Sequence, residues 1–231
     1  PAGRRFRDWA REVVDGWKQL EVELAEDSRA LTGELRIYAS VTATYSVLTD
    51  LFARFRRAYP GVHIRLETGD AADAIEMIAD GRADITVAAR PNRLPGTIRY
   101  RHVVETPLDF VAPGSPCEVA SLVSRRPVNW GAIPMVLSAH GLSRKRVDGW
   151  FRRQGIRPSI YAEVSGHEAI LSMVSLGCGV GVLPRLVVER SALRDEVRLL
   201  EVTPTLEPYN VGICAHRRRL DSPVVRAFWE L

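Results

Sequence analysis

Four short runs in this 231-residue chain carry the residue types that can grip a small acid. They are Ser40-Val41-Thr42-Ala43, Thr68-Gly69-Asp70-Ala71, Ser138-Ala139-His140-Gly141 and Ser165-Gly166-His167-Glu168. In each, small or hydroxyl residues follow a strand-like segment and precede a stretch of helical spacing. A strand ending this way presents hydroxyls, unpaired helix N–H groups and the positive end of a helix dipole, all of which suit an anion. Any one of these Ser or Thr side chains can equally cap its own helix, so the functional reading rests on four such turns facing one cleft. The expected ligand-binding set is Ser40, Val41, Thr42, Ala43, Thr68, Gly69, Asp70, Ala71, Arg90, Ser138, Gly141, Ser165, Gly166, His167 and Glu168. His167 is the sharpest of these, a donor for a ligand oxygen at a helix start; an exposed first-turn histidine is the competing reading. His140 is similar and weaker. Asp70 would repel a carboxylate, which places it on a ligand hydroxyl or on a helix N-terminus. Arg90 and Arg144 are available to balance a ligand charge, although solvated arginines are the ordinary outcome.

The elements that must position these turns form one phrase written twice. Residues 64–90 read as strand, Gly-containing turn, helix with Ile75, Met77 and Ile78, a stop at Gly81, and strand. Residues 160–184 repeat it, with Ile170, Leu171, Met173 and Val174 on the helix and a stop near Gly177. Each copy is a parallel βαβ unit. Two units predict two similar α/β lobes, and ligands of such sheets lie beyond the carboxyl ends of the strands. The expected division is residues 33–114 and 206–231 for the first lobe and 115–205 for the second, with a crossover near 113–117 and a return near 203–210. Residues 1–32 stand apart. Phe6, Ala10, Val13, Trp17, Leu20, Leu24 and Leu31 fall at steps of four and three, broken only by Asp27. This heptad seam predicts one long linker helix that dimerises through Phe6, Val13, Trp17, Leu20 and Leu24; packing on its own body is the alternative.

A hydrophobic content of 46% and a net charge of +4 fit a mildly basic globular chain. That charge does not by itself indicate a nucleic-acid surface, and His216-Arg217-Arg218-Arg219 reads as a solvated turn. No apolar run approaches the roughly 18 residues of a membrane span. The three cysteines, Cys117, Cys178 and Cys214, lack metal-ligand spacing and read as reduced thiols of a cytoplasmic protein, with no metal and no cofactor expected. Pro1 in place of methionine suggests a processed chain or a fragment. Catalytic motifs are missing: there is no GxSxG elbow, phosphate loop or HExxH helix. The run Gly177-Cys178-Gly179-Val180-Gly181 ends a helix and begins a strand, the reverse of what a dinucleotide loop requires.

Several segments together resemble the effector-binding region of LysR-type transcriptional regulators, across essentially the whole chain. They are Gly33-Glu34-Leu35-Arg36-Ile37, the helix from Phe52-Ala53-Arg54-Phe55 to Tyr59-Pro60-Gly61-Val62, Gly81-Arg82-Ala83-Asp84-Ile85, and Gly177-Cys178-Gly179-Val180-Gly181-Val182-Leu183-Pro184. Further segments narrow the likeness. Ser40 to Ala43, Thr68 to Ala74, Trp150-Phe151-Arg152-Arg153, Gly166-His167-Glu168-Ala169 and Phe228-Trp229 look like the branch that activates the acetohydroxyacid isomeroreductase gene of branched-chain amino-acid synthesis.

The resemblance implies two Rossmann-like lobes joined by crossover strands, of the periplasmic-binding-protein type, behind a linker helix. It implies no enzymatic activity and no membrane partner. The implied effector is an acetohydroxy acid, 2-acetolactate or 2-aceto-2-hydroxybutyrate. The implied assembly is a homodimer or homotetramer, with promoter DNA and RNA polymerase engaged only through a full-length protein that adds a winged helix-turn-helix. A bilobed solute-binding protein and a cleft enzyme using His167 or Asp70 as acid or base are the competing readings.

Overall fold

A computed structural model describes residues 31–231, together with Phe6, Trp9 and Val13. Those three are helical and exposed, and the rings of Phe6 and Trp9 lie 5.9 Å apart. Trp17, Leu20 and Leu24 of the proposed seam lie outside the described residues.

The first sheet takes β1 (Gly33–Ala39), β2 (Val62–Thr68), β3 (Ile85–Ala89), β4 (Ile98–Thr106) and a strand from the far end of the chain, β10 (Tyr209–His216), in the order β2-β1-β3-β10-β4. The second takes β5 (Leu108–Pro113), β6 (Pro134–Ser138), β7 (Ser159–Val164), β8 (Val180–Pro184) and β9 (Val197–Leu200), ordered β7-β6-β8-β5-β9. The two orders are the same pattern: three parallel strands, two of them from the repeated phrase, then an antiparallel strand delivered by a crossover. Two α/β lobes result, as the repeat predicts.

Helices cover both faces of each sheet, which is why the central strands are apolar on both sides. On one face of the first sheet, Leu35, Ile37, Val87 and Ile213 pack against the helices α1 (Val41–Ala43), α2 (Thr49–Ala58) and α8 (Pro223–Trp229), with Phe55 and Phe228 in edge-on contact. On the other, Tyr38 and Ala88 meet Met77 and Ile78 of α3 (Ala74–Ala79). The second sheet repeats the scheme. Phe110 and Met135 face α4 (Glu118–Ser124) and α5 (Gly141–Arg153), where Trp150 and Phe151 stack edge to face. Val111 and Val136 face α6 (His167–Ser175) and α7 (Arg185–Glu189).

The strand Leu108–Pro113, read from the sequence as part of the first lobe, pairs with β8 and β9 and belongs to the second sheet. The chain changes sheets at Pro107, between β4 and β5. The breaker pair Pro113-Gly114 closes a strand of the second lobe instead of marking a boundary. A second passage runs from β9 to β10. The tetrad at 216–219 is also more than a solvated turn. Arg219 joins Arg36 on Asp84, whose side chain is 1% exposed, with Arg219 Nε donating at 2.7 Å and the Arg36 backbone N–H at 3.0 Å. That cluster pins the C-terminal segment to β1 and the start of β3.

Candidate functional site

All four turns lie at the carboxyl ends of their strands, and the two lobes build them alike. Just past β2, Gly69 N–H donates to the Ala39 carbonyl at the end of β1 at 3.2 Å; just past β6, Ala139 N–H donates to the Val164 carbonyl at the end of β7 at 3.1 Å. Ser40 caps its helix, its hydroxyl accepting from Ala43 N–H at 3.2 Å. The helix then passes through a π-turn over Thr44–Leu48 before α2 begins. Such widened turns recur at functional sites, and here the turn carries Val47 into the cleft.

Two chambers lie in that cleft. The larger, about 270 Å³, is lined by Asp70, Ser138, His140, Gly141, Ser143 and Lys145 among others. The smaller, about 50 Å³ and almost wholly apolar, is lined by Ala43, Val47, Val87, Pro184, Val187 and Val211, with Ser40, Thr42 and Thr106 beside them. Ala71, Ala89, His167 and Tyr209 belong to both and form the partition.

Among the described residues, polar contacts join the lobes across the cleft. Glu168 Oε1 accepts from the N–H and the hydroxyl of Thr42, at 2.8 and 2.7 Å. Asp70 accepts from Gly166 N–H at 3.1 Å through one oxygen and from Ala72 N–H at 2.9 Å through the other. His140 Nε2 lies 2.8 Å from Asp73. Two protein carboxylates therefore occupy helix starts of the opposite lobe.

His167 is only partly exposed by surface area, and it lines both chambers. Burial pushes its pKa below the ordinary histidine value, with the charges of Glu168 and Asp70 pulling the other way. The neutral imidazole that results can donate from one nitrogen and accept at the other. Burial also drives Tyr209 up to about 12, so its phenol stays protonated. Its ring sits 6.4 Å from that of His167. Among the described residues no cluster of His, Cys, Asp and Glu side chains could hold a metal ion.

Of the residues expected from sequence, Ser40, Thr42, Ala43, Asp70, Ala71, Ser138, Gly141 and His167 line one or both chambers. Gly166 and Glu168 sit on the seam between the lobes. The others are not on the chamber walls. Val41 is 42% exposed, and Thr68 and Ser165 are exposed as well. Gly69 is packed against the Tyr38 ring, so close that a Cβ would lie 2.3 Å from the hydroxyl. Arg90 stacks over Tyr100 at 5.3 Å, and Arg144 is engaged by Asp148, Glu163 and the Ser138 carbonyl. Sequence reading missed Tyr209, Thr106, Ser143 and Val187. Tyr209 and Thr106 arrive at the site on the crossovers, and no local pattern marks them.

The comparisons with known proteins agree with this architecture. Residues 28–231 match the LysR substrate binding domain family. The HTH-type transcriptional regulator IlvY of Escherichia coli is 40% identical over 233 residues, covering all of this chain and 78% of the relative. The activator IlvY of Haemophilus influenzae is 36% identical over 99% of this chain and 79% of its own length. Among solved structures, the effector binding domain of QuiR in complex with shikimate superposes with a TM-score of 0.71 at 16% identity, covering 87% of this chain and 95% of the other, a likeness of fold. On its family match and its full-chain relatives, this chain belongs to the LysR family of transcriptional regulators and carries their effector-binding domain.

Proposed function

We propose that this domain senses a small acetohydroxy acid, 2-acetolactate or 2-aceto-2-hydroxybutyrate, in the cleft between its lobes. On this reading it reports to a regulator that activates branched-chain amino-acid biosynthesis. The observation that carries the reading is the position of His167, on the wall between a polar chamber and a small apolar one. An acetohydroxy acid presents a carboxylate, a tertiary hydroxyl and a ketone on one side and a short alkyl group on the other. The first three suit Ser138, Ser143, His167 and backbone N–H groups, and the alkyl group suits the space bounded by Val47, Val87 and Val211. Relatives named transcriptional activator IlvY, at up to 41% identity over the whole chain, support the reading as part of an activator.

The functional unit on this proposal is a cytoplasmic homodimer or homotetramer held through the seam of Phe6, Val13, Trp17, Leu20 and Leu24. Promoter DNA and RNA polymerase are contacted through the full-length regulator. Effector binding shifts the equilibrium between open and closed lobes and thereby the relation between linker helices.

Calorimetric titration with 2-acetolactate, with valine and isoleucine as controls, tests the proposal. His167→Ala should weaken binding by about 1–3 kcal/mol, roughly five- to 150-fold, because a ligand oxygen is left unpaired. Equal binding of all three compounds, or no change in the variant, would refute it.

A further inference from the structure

Next to the larger chamber, and sharing its wall at Pro91, Arg93, Leu142 and Lys145, lies a second concavity of about 560 Å³, larger than either chamber and richer in cations. Its walls carry Arg93 from the loop after β3, Lys145, Arg146, Arg152 and Arg153 from α5, and one acid, Glu207, from the passage between β9 and β10. Glu207 is committed to Arg146, 3.3 Å away. Arg146 is committed in turn to the return passage, donating to the carbonyls of Glu207 and Pro208 and stacking over Tyr209. Among the described residues, no hydrogen bond or ion pair engages the side chains of Arg93, Lys145, Arg152 or Arg153. Among the described residues, these four exposed cations thus face one groove with no ion-pair partner.

Two of them share one stretch of the wall. Gly149 forms part of it, and a Cβ placed there would lie 3.4 Å from Arg153 Nη1 and 3.9 Å from Arg152 Nη2. At three and four residues from Gly149 on one helix, both guanidiniums lie over the side-chain-free glycine and concentrate positive potential there. Two basic residues in the last turn of α5 complement the helix dipole, but that role needs no cation from the opposite lobe. Arg146 Nε adds a buried donor with no partner. Leu142 and Leu206 give the groove an apolar side. Its volume falls in the range of small-molecule sites, about 300–1,000 Å³.

We infer that this groove is a second ligand site for a small phosphorylated metabolite bearing at least two negative charges, held between Arg93 of one lobe and Lys145, Arg152 and Arg153 of the other. Planar guanidiniums bind phosphate oxygens in pairs, and several charge-assisted bonds to one ligand reinforce one another. Because the ligand bridges both lobes next to the return passage, it favours their approach and couples positively to occupation of the effector cleft. This function lies beyond effector sensing in the cleft and does not depend on the identity of that effector.

The test is calorimetry of the whole chain with pyrophosphate and with ATP, at constant ionic strength of about 0.15 M. One saturable site per chain is expected for at least one of them. The double variant R152A/R153A should lose about tenfold or more in that affinity while binding 2-acetolactate as the parent does, since neither residue lines the chambers. Its melting temperature should match the parent, which separates loss of the site from loss of the fold. Absence of saturable binding by both probes, or unchanged affinity in the variant, would overturn the inference. So would uptake of duplex DNA, with a steep salt dependence, in place of either probe, which would assign the cluster to a nucleic-acid surface. Each of these outcomes leaves the titration with 2-acetolactate as an independent reading of the cleft.

Discussion

Glu168 and Thr42 stand 126 residues apart in sequence, and a single carboxylate oxygen of the first accepts from both the backbone N–H and the hydroxyl of the second. The N–H lies in the first turn of the helix that starts at Val41, so the carboxylate sits at the positive end of that helix. Glu168 itself lies in the first turn of α6. The contact therefore holds the two lobes together by an anion already built into the protein, in the place where an anionic ligand would otherwise be expected.

Glu168→Ala removes this link and should shift the lobes toward separation. Hydrogen bonds to a charged group are worth about 1.5–3 kcal/mol where sheltered, enough to reverse a closed majority. Small-angle scattering should show a larger radius of gyration for the variant, and Glu168→Gln, which keeps an acceptor, should lie between. Identical scattering from all three would mean that the contact does not hold the lobes.

A second link responds to pH. The hydrogen bond that His140 donates to Asp73 raises the pKa of His140 above the ordinary histidine value, against a smaller opposing effect of burial; the charges of Asp73, Asp70 and Glu76 add to the rise. A raised folded pKa means that the stabilisation is fully present below the unfolded value, about 6.5, and is lost as pH rises through the folded value. Half of the His140 side chain is exposed, so solvent screens the effect. Fluorescence transfer between dyes on the two lobes should report tighter closure at pH 5.5 than at pH 8.5, and His140→Gln should flatten that difference. A slope that persists in the variant would place the titrating group elsewhere.

The repeated phrase was legible because periodicity two and periodicity 3.6 are written locally in the residues. Ile64 and Leu66 announce a strand, Met77 and Ile78 a helix, and both pairs are where the spacing puts them. The sheet to which β5 belongs was not legible, because Leu108-Asp109-Phe110-Val111 reads as a good strand in either lobe and only its partners decide. Long-range pairing with Gly181 to Pro184 made that decision. The candidate site shows the same divide. Ser40 and Ser138 are found from turn chemistry, whereas Thr68 and Ser165 satisfy the same chemistry and stay exposed. A turn motif fixes the backbone, and the rotation of each side chain relative to the opposite lobe depends on the closure. Tyr209 could not be found locally at all, since it begins a strand of one lobe while packing into the core of the other.

Asp84 should prove the main electrostatic pin of the first lobe. Burial alone would raise its pKa, but the hydrogen bonds from Arg36 and the charges of Arg219 and Arg36 outweigh it and hold the carboxyl below the usual range. A depressed folded pKa gives stabilisation that is present above the unfolded value and lost as pH falls through the folded one. Asp84→Asn should cost about 2–4 kcal/mol in urea unfolding at pH 7, because it removes the charge that two guanidiniums share. The loss should shrink as the parent is titrated into acid. A variant as stable as the parent at pH 7 would show that Arg36 and Arg219 regain full solvation.

Gly141 tests whether the closed arrangement is the one that binds effector. It begins α5 at φ +86°, a conformation that other residues adopt only with strain. A Cβ added there would also lie 2.6 Å from the Cβ of Ala72 on the opposite lobe. Gly141→Ala should therefore act twice. The backbone strain, about 1–3 kcal/mol, lowers the stability of the second lobe whatever the first lobe does. The clash acts only when the lobes are together and should force them apart, enlarging the radius of gyration and weakening 2-acetolactate binding. Pairing the change with Ala72→Gly separates these effects, since the double variant keeps the strain and removes the clash. Affinity should recover in the double variant while the melting temperature stays low. If Gly141→Ala alone binds 2-acetolactate as tightly as the parent, the effector does not require the close approach of Gly141 to Ala72, and the bound state is more open than the one described.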